Sequence, residues 1–396
     1  MNPRHGASGD VPAGIALDNW LSPPYSRWSF QHVEDFVPTA LISRGTGAAA
    51  PLPATPTELA TIAVPTVPGS FTTVGAIMDA TATDGWAVAH RGSLVCEDYR
   101  GTMGADTRHL LFSVSKSMVA TVAGALHAAN ALEIDAPVTK YVPALADCGY
   151  SGATVRHLLD MRSGIEFSDN YLHPTAEVHV LDEAMGWAPR VNAHSPTTLY
   201  DFLLTLRQKS PHGGVFEYRS CETDVLGWIC EVVGGQRMPD LMSSLLWSRI
   251  GAQHDASIGV DPAGTGFFDG GISACLSDLI RFGSVFLCDG VALTGQQVVP
   301  ATWIADTLEG GPDSRAAFAA GPQEAMPGGM YRNQMWLPYP GNAVLLCLGM
   351  CGQMVYINRS AGVVGAKLST QSFTADSQML VDTLRAFDAV SGALAG

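Results

Sequence analysis

Ser113-Val114-Ser115-Lys116 opens a run, Ser117-Met118-Val119-Ala120-Thr121-Val122-Ala123-Gly124-Ala125-Leu126, that is almost wholly apolar or small. A helix of that composition has no polar face to offer to water and must lie inside the fold. It carries Lys116, one of only four lysines in the chain, inward with it. Residues three apart share a helix face, so Ser113 and Lys116 belong together. For the pair alone, a capping serine followed by a solvated lysine is the alternative, and the apolar run argues against it. A buried lysine with a depressed pKa takes a serine proton directly, without a histidine. The helix start adds free N–H groups and a positive dipole end beside the serine. The expectation is a nucleophile in Ser113, a neutral base in Lys116 and half an oxyanion hole, all within one turn.

Such a site needs a proton donor for the leaving group and a second oxyanion donor. Phe216-Glu217-Tyr218-Arg219-Ser220 supplies Tyr218 just ahead of a helix start, with Ser220 as its N-cap. Gly349-Met350-Cys351-Gly352-Gln353 places glycines where a backbone approaches a substrate closely, and the N–H of Met350 is the candidate second donor. There is no Gly-x-Ser-x-Gly elbow and no histidine beyond His254, which excludes a triad with a late histidine. There is no His-Glu-x-x-His, phosphate loop or spaced Cys/His cluster. His173 and His179 lie near Asp169, Glu177 and Asp182, but at no standard metal spacing. Neither a metal nor a cofactor is expected.

With 396 residues, 47% hydrophobic and 15% charged, the chain has material for a sizeable core. Its net charge of −15 argues against nucleic-acid and anionic-membrane partners. The N-terminus carries no apolar leader and no run reaches the ~18 residues of a membrane span. The eight cysteines sit among apolar neighbours with no Cys-x-x-Cys pair, as small buried residues do in a reducing compartment. A cytoplasmic location is expected.

Prolines at 51, 53, 56, 65 and 68 break up residues 1–70, which read as an irregular arm; Trp20, Trp28 and Phe30 imply that parts of it pack on the body. Trp86–His90 and Ser93–Tyr99 read as a hairpin around Arg91-Gly92. Val155–Met161 (stopped at Ser163-Gly164), Leu199–Leu206, Asp224–Val233 and Met238–Leu246 read as helices. Ala343–Gly349, Met354–Asn358 and Gly362–Ser369 read as a three-stranded antiparallel meander, followed by a helix over Ser377–Val390. The pattern predicts an α+β protein. An antiparallel sheet flanked by helices comes from residues 71–134 and 261–396, and a mostly helical domain from 135–260.

Ser113-x-x-Lys116, then Tyr218-x-Ser220, then a glycine motif on a late strand follows the order of the serine β-lactamase and penicillin-binding-protein superfamily. Ala136-Pro137-Val138-Thr139-Lys140-Tyr141-Val142-Pro143 and Thr154–Gly164 resemble its class C and esterase branch. Trp20-Leu21-Ser22-Pro23-Pro24, His109–Ser117, Tyr218-Arg219-Ser220 with Thr223–Leu226, and Gly349–Gln353 resemble the aminohexanoate-dimer (nylon-oligomer) hydrolases. The resemblance implies the β-lactamase/DD-peptidase fold. It also implies Ser113 as nucleophile, Lys116 as base, Tyr218 as proton donor, and the N–H groups of Ser113 and Met350 as the oxyanion hole. On the substrate side it implies Tyr171 and Asp182, with Trp187 and Trp336 around the pocket and Ser220, Asp269, Gly349 and Cys351 at its motif positions.

The chain also departs from that pattern. Ser220 stands for the second motif's asparagine, and Asp269 for another asparagine. Cys347-Leu348-Gly349 replaces Lys-Thr-Gly and removes the cation that greets a β-lactam carboxylate, so antibiotic hydrolysis is not expected. The histidine of the nylon-oligomer enzymes near the C-terminal strand is missing around Thr370–Phe373. The expected activity is acyl-enzyme hydrolysis or transfer on a small amide or ester, with water or an amine as acceptor. The alternatives are an amide-forming transacylase, a short-chain carboxylesterase, and an inactive binding protein that keeps the fold. The expected partners are a small-molecule substrate and an amine acceptor, with a homodimer allowed.

Overall fold

The computed structural model describes residues 11–66, 70–322, 325–341, 343–372 and 377–396. Its strands are β1 (Thr39–Ile42), β2 (Ala63–Pro65), β3 (Phe71–Thr73), β4 (Thr83–His90), β5 (Ser93–Tyr99), β6 (His109–Leu110), β7 (Ala256–Gly259), β8 (Ile272–Ala274), β9 (Met330–Arg332), β10 (Met335–Leu337), β11 (Val344–Gly349), β12 (Gln353–Asn358) and β13 (Val363–Ser369). Seven of them form one sheet in the order β5-β4-β13-β12-β11-β10-β9, antiparallel throughout. The hairpin and the meander expected from the sequence are its centre, joined where β13 pairs with β4 and sets Lys367 opposite Trp86.

Apolar residues fill both faces of β12 and β13 because helices cover both sides. Gly283, on the helix Leu276–Leu287, lies against Val364, Val355 and Ile357. Phe387, on the helix Ser377–Ala395, lies against Gly365 and stacks on Tyr356. Successive strand residues point to opposite faces, so the two helices sandwich the sheet.

A smaller antiparallel sheet runs β1-β7-β8-β6. Two of its strands alter the picture drawn from the sequence. β1 lies within the stretch read as an irregular arm, and it pairs with β7, Thr39 opposite Gly259. β7 lies within 135–260 and pairs with β8 beyond residue 261, so a β ladder spans that boundary. Neither strand had a local signal strong enough to read; their partners are more than a dozen residues away.

Helix limits also differ. The helix Val155–Leu159 ends early because Met161 takes a left-handed φ of 54° there, a turn usually given to glycine. The second reads Leu199–Leu203. Met238–Met242 continues as one wide π turn over Ser243–Trp247. Cys221–Gly234 closes at Gly235 in the left-handed conformation. Among the described residues no helix is long and apolar enough to cross a membrane.

Candidate active site

The helix Val114–Ala128 begins immediately after Ser113 and is buried through Leu126. The preceding residue, Phe112, is held at φ 46°, a strained conformation for a bulky side chain. That turn presents the serine at the helix mouth. From the face one turn in, Lys116 Nζ donates to Ser113 Oγ at 2.8 Å, and also to the carbonyl oxygen of Asp269 at 2.9 Å and to its Oδ2 at 3.3 Å. Lys116 is about 1% exposed.

The direction of its pKa shift is opposite to the depression expected from the sequence. Burial pushes the Lys116 ammonium down, but the acidic groups around it pull it up by more: Tyr218 first, then Asp269, Asp169 and Asp224. Lys116 is held above its ordinary value. The sequence showed an apolar helix around Lys116 but not the carboxylates that other elements bring to it.

Tyr218 precedes the helix Cys221–Gly234 and sits with its ring 5.2 Å from Lys116 Nζ. Burial raises its phenol; Lys116 and a hydrogen bond to Ser113 pull the other way. Trp336, on β10, stacks on Tyr218 with centroids 5.4 Å apart. Ser220 occupies the N-cap position, yet its side chain caps nothing; its N–H instead donates to Asp169 Oδ2 at 2.9 Å.

Gly349 ends β11 where a Cβ would stand 2.3 Å from the carbonyl oxygen of Leu111. Only glycine lets this strand end press against the segment that leads into Ser113. The following turn, Met350–Gly352, is pinned at all three carbonyls. Gln353 Nε2 donates to Met350 O at 3.1 Å, Ser369 Oγ donates to Cys351 O at 2.8 Å, and Lys367 Nζ donates to Gly352 O at 3.3 Å. Lys367 also donates to Ser369 Oγ at 2.9 Å and Thr81 O at 3.3 Å. Cys351 is left-handed at φ 58°. With its carbonyls anchored from below, the turn has little freedom to rotate the N–H of Met350.

These pieces meet at an enclosed cavity of about 130 Å³. Of the residues singled out in the sequence, Ser113, Met350, Tyr171, Trp187, Tyr218, Ser220 and Asp269 line it. Lys116 lies beneath Ser113, and Asp182 lies behind Tyr171, whose hydroxyl donates to Asp182 Oδ1 at 3.4 Å. Trp336 backs Tyr218 rather than the cavity. Gly349 and Cys351 flank Met350 and face a neighbouring groove. Sequence reading missed Leu21, Phe112, Phe267 and Gly270 as lining residues, and assigned Asp169 no role here. Leu21 and Phe112 lie in stretches that carry the family resemblance, but nothing local in the sequence places any of the five at the cavity; folding brings them together.

The cavity is rich in carboxyl groups. Burial raises Asp182 and Asp224 well above the usual carboxylate range, with Asp269 adding to both. Burial pushes Asp169 up to about 6, against the pull of Lys116 and of Ser220. Asp269 Oδ1 is buried without a hydrogen-bond partner among the described residues. The same residues hold no group of three or more His, Cys, Asp and Glu arranged to bind a metal.

A family model described as beta-lactamase matches residues 72–389. The chain is 36% identical over 382 residues to the 6-aminohexanoate-dimer hydrolase of Paenarthrobacter ureafaciens, covering 94% of each chain. It superposes on a structure assigned as a 6-aminohexanoate-dimer hydrolase from Bacillus anthracis with a TM-score of 0.88 at 25% identity, covering 96% of this chain and 97% of that one. It shares the fold of an octameric penicillin-binding-protein homologue from Pyrococcus abyssi, with a TM-score of 0.62 at 18% identity over 81% of this chain and 76% of that one.

Proposed function

Because this chain belongs to the beta-lactamase family, and is a hydrolase of that fold, we propose that it cleaves or exchanges a small amide or ester through an acyl-enzyme on Ser113. One observation carries the reading: Lys116 Nζ lies 2.8 Å from Ser113 Oγ, at the floor of a cavity that Tyr218 and Met350 also line.

Lys116 must lose its proton before it serves as a base. The groups that hold that proton are Tyr218 and, after it, the carboxyl groups around the cavity, Asp269 first among them. A substrate carrying an ammonium group is drawn to those carboxylates and offsets their charge on Lys116. Substrate binding then releases a proton to solvent and leaves a neutral amine against Ser113.

Ser113 Oγ–H gives its proton to Lys116 and Oγ bonds to the carbonyl carbon. The carbonyl oxygen becomes an oxyanion between the N–H groups of Ser113 and Met350. As the C–N or C–O bond breaks, the proton passes from Lys116 through the Tyr218 hydroxyl to the leaving amine or alcohol. Water, or an amine, then adds to the acyl carbon by the same steps in reverse and frees Ser113.

The carboxyl-rich lining also favours a second reading, acyl transfer to a cationic amine. It follows the same path with the amine in place of water. Intact-mass measurement after a fluorophosphonate, and after a panel of linear amides and esters with and without added amines, tests both. A Ser113→Ala variant that still takes up the acyl group removes Ser113 as nucleophile.

A further inference from the structure

Residues 20–36 precede the stretch matched by the family model, yet they build part of the cavity. Leu21 lines it directly. Next to it, Trp20 is fully buried and its indole N–H donates to the carbonyl oxygen of Trp187 at 3.1 Å. Trp20 stacks on Phe36 at 5.3 Å and meets Trp187 edge-on at 5.2 Å; Trp187 in turn meets Phe267 at 4.8 Å. Further along, Phe30 meets Phe112 edge-on at 5.0 Å, and its carbonyl oxygen accepts the Leu110 N–H at 2.7 Å. The segment therefore touches the apolar wall of the cavity at three places: directly through Leu21, through Trp187, and through the residue that precedes Ser113.

The segment is clamped to the body rather than draped on it. Arg27 Nε pairs with buried Asp84 at 2.7 Å, Arg108 holds Glu34 at 2.9 Å, and the Ser29 hydroxyl donates back to Trp20 O. The ring of Trp187 has no room to retreat, because a Cβ at Gly259 would already stand 2.6 Å from it. With aromatic rings fixed on either side, Leu21 is the aliphatic side chain that the segment itself points into the space. An apolar cavity of ~150 Å³ takes a benzene-sized guest, so at about 130 Å³ one side chain of leucine size decides what fits.

We propose that the 20–36 segment is the specificity element of this enzyme, with Leu21 setting the length of the group accepted beside Ser113. The proposal rests on the acyl-enzyme reading for the identity of that group as acyl. The test uses the full-length chain with Leu21→Ala and Leu21→Phe, and measures kcat/KM for 4-nitrophenyl acetate, butyrate, hexanoate and octanoate. Leu21→Ala is expected to raise the hexanoate-to-acetate ratio about tenfold, the worth of roughly one methylene or two in a tight apolar pocket. Leu21→Phe is expected to lower that ratio by a similar factor.

The same substitutions are made in a Ser113→Ala background, where Kd is measured for butyl-, hexyl- and octylammonium. The order of lengths is expected to move in the same two directions. Ratios that stay within twofold of the parent in both series overturn the proposal. Ester turnover that survives Ser113→Ala overturns the acyl-enzyme reading instead, and the binding series still decides the role of Leu21.

Discussion

Two layers of the site are each built around a fully buried lysine, and the two lysines have opposite fates. Lys116, under Ser113, is lowered by burial but raised by more through Tyr218, Asp269, Asp169 and Asp224, and is held above its ordinary value. Lys367, under the Met350–Gly352 turn, gives its hydrogen bonds to two carbonyls and a hydroxyl, and burial pulls it down to about 7; Asp84 resists that pull and Arg100 adds to it. Burial is common to both, so burial does not set the charge. What sets it is whether the oxygens around the amine carry a negative charge. One lysine is raised by the acidic groups of the cavity. The other is poised near neutrality and holds a turn.

The largest expected break in this comparison is Lys116→Met. It removes the proposed base and the partner of Asp269 together, and the rate of Ser113 acylation should fall by about 10⁴, the upper range for a general base. Stopped-flow acylation by an activated ester measures it. A loss below tenfold would mean that another group takes the serine proton.

Lys367→Met is next. If the pinned turn aims the Met350 N–H, kcat should fall by about 10², the lower range for loss of one oxyanion donor, while KM stays within about twofold. Its stability signature is distinct. A lysine whose folded value lies near 7 and whose unfolded value is 10.5 binds fewer protons when folded between those limits. Its burial therefore costs most below pH about 7, and the cost fades as pH rises toward the unfolded value. Denaturant melts across that range should show the methionine variant gaining on the parent as pH falls.

A gentler test sharpens the first lysine. Asp269→Asn removes a carboxylate that lies 3.3 Å from Lys116 Nζ. The neutral amine then appears at lower pH, and the rising limb of the kcat/KM profile should move down by about one to three units. An unmoved limb would show that Asp269 does not hold the Lys116 proton. The smallest effect belongs to Trp336→Leu, which strips the ring stacked on Tyr218. A stacked pair is worth ~0.5–1.5 kcal/mol, so kcat should drop by about threefold to tenfold in steady-state assays.

The legible parts of the site are those whose geometry is local. Ser113 and Lys116 are one helical turn apart, and the apolar run that follows them announces burial. Tyr218 and Gly349–Gly352 sit at element ends, where turn chemistry and glycines show in the sequence. The meander and the hairpin showed through apolar runs and tight turns. Asp169 had no such signal. Its carboxylate is fixed by the N–H of Ser220, fifty-one positions away. Phe267 reads as an ordinary apolar residue until the chain is folded, and Leu21, though part of a stretch that carries the resemblance, shows no place at the cavity before then. β1 and β7 were missed for the same reason, since each is a strand only because distant partners lie beside it: β7 for β1, and β1 and β8 for β7.

The sequence by itself determined that a serine and a lysine share a buried helix face, because the spacing of side chains along a helix follows from backbone geometry alone. The tertiary structure decided that this lysine is raised above its ordinary value and that an N-terminal leucine bounds the space in front of it. An ionisable group responds to the summed field of its neighbours and a cavity to all of its walls. For Ser113 and Lys116, those neighbours and walls arrive from residues 21, 169, 187, 224 and 269 only when the chain has folded.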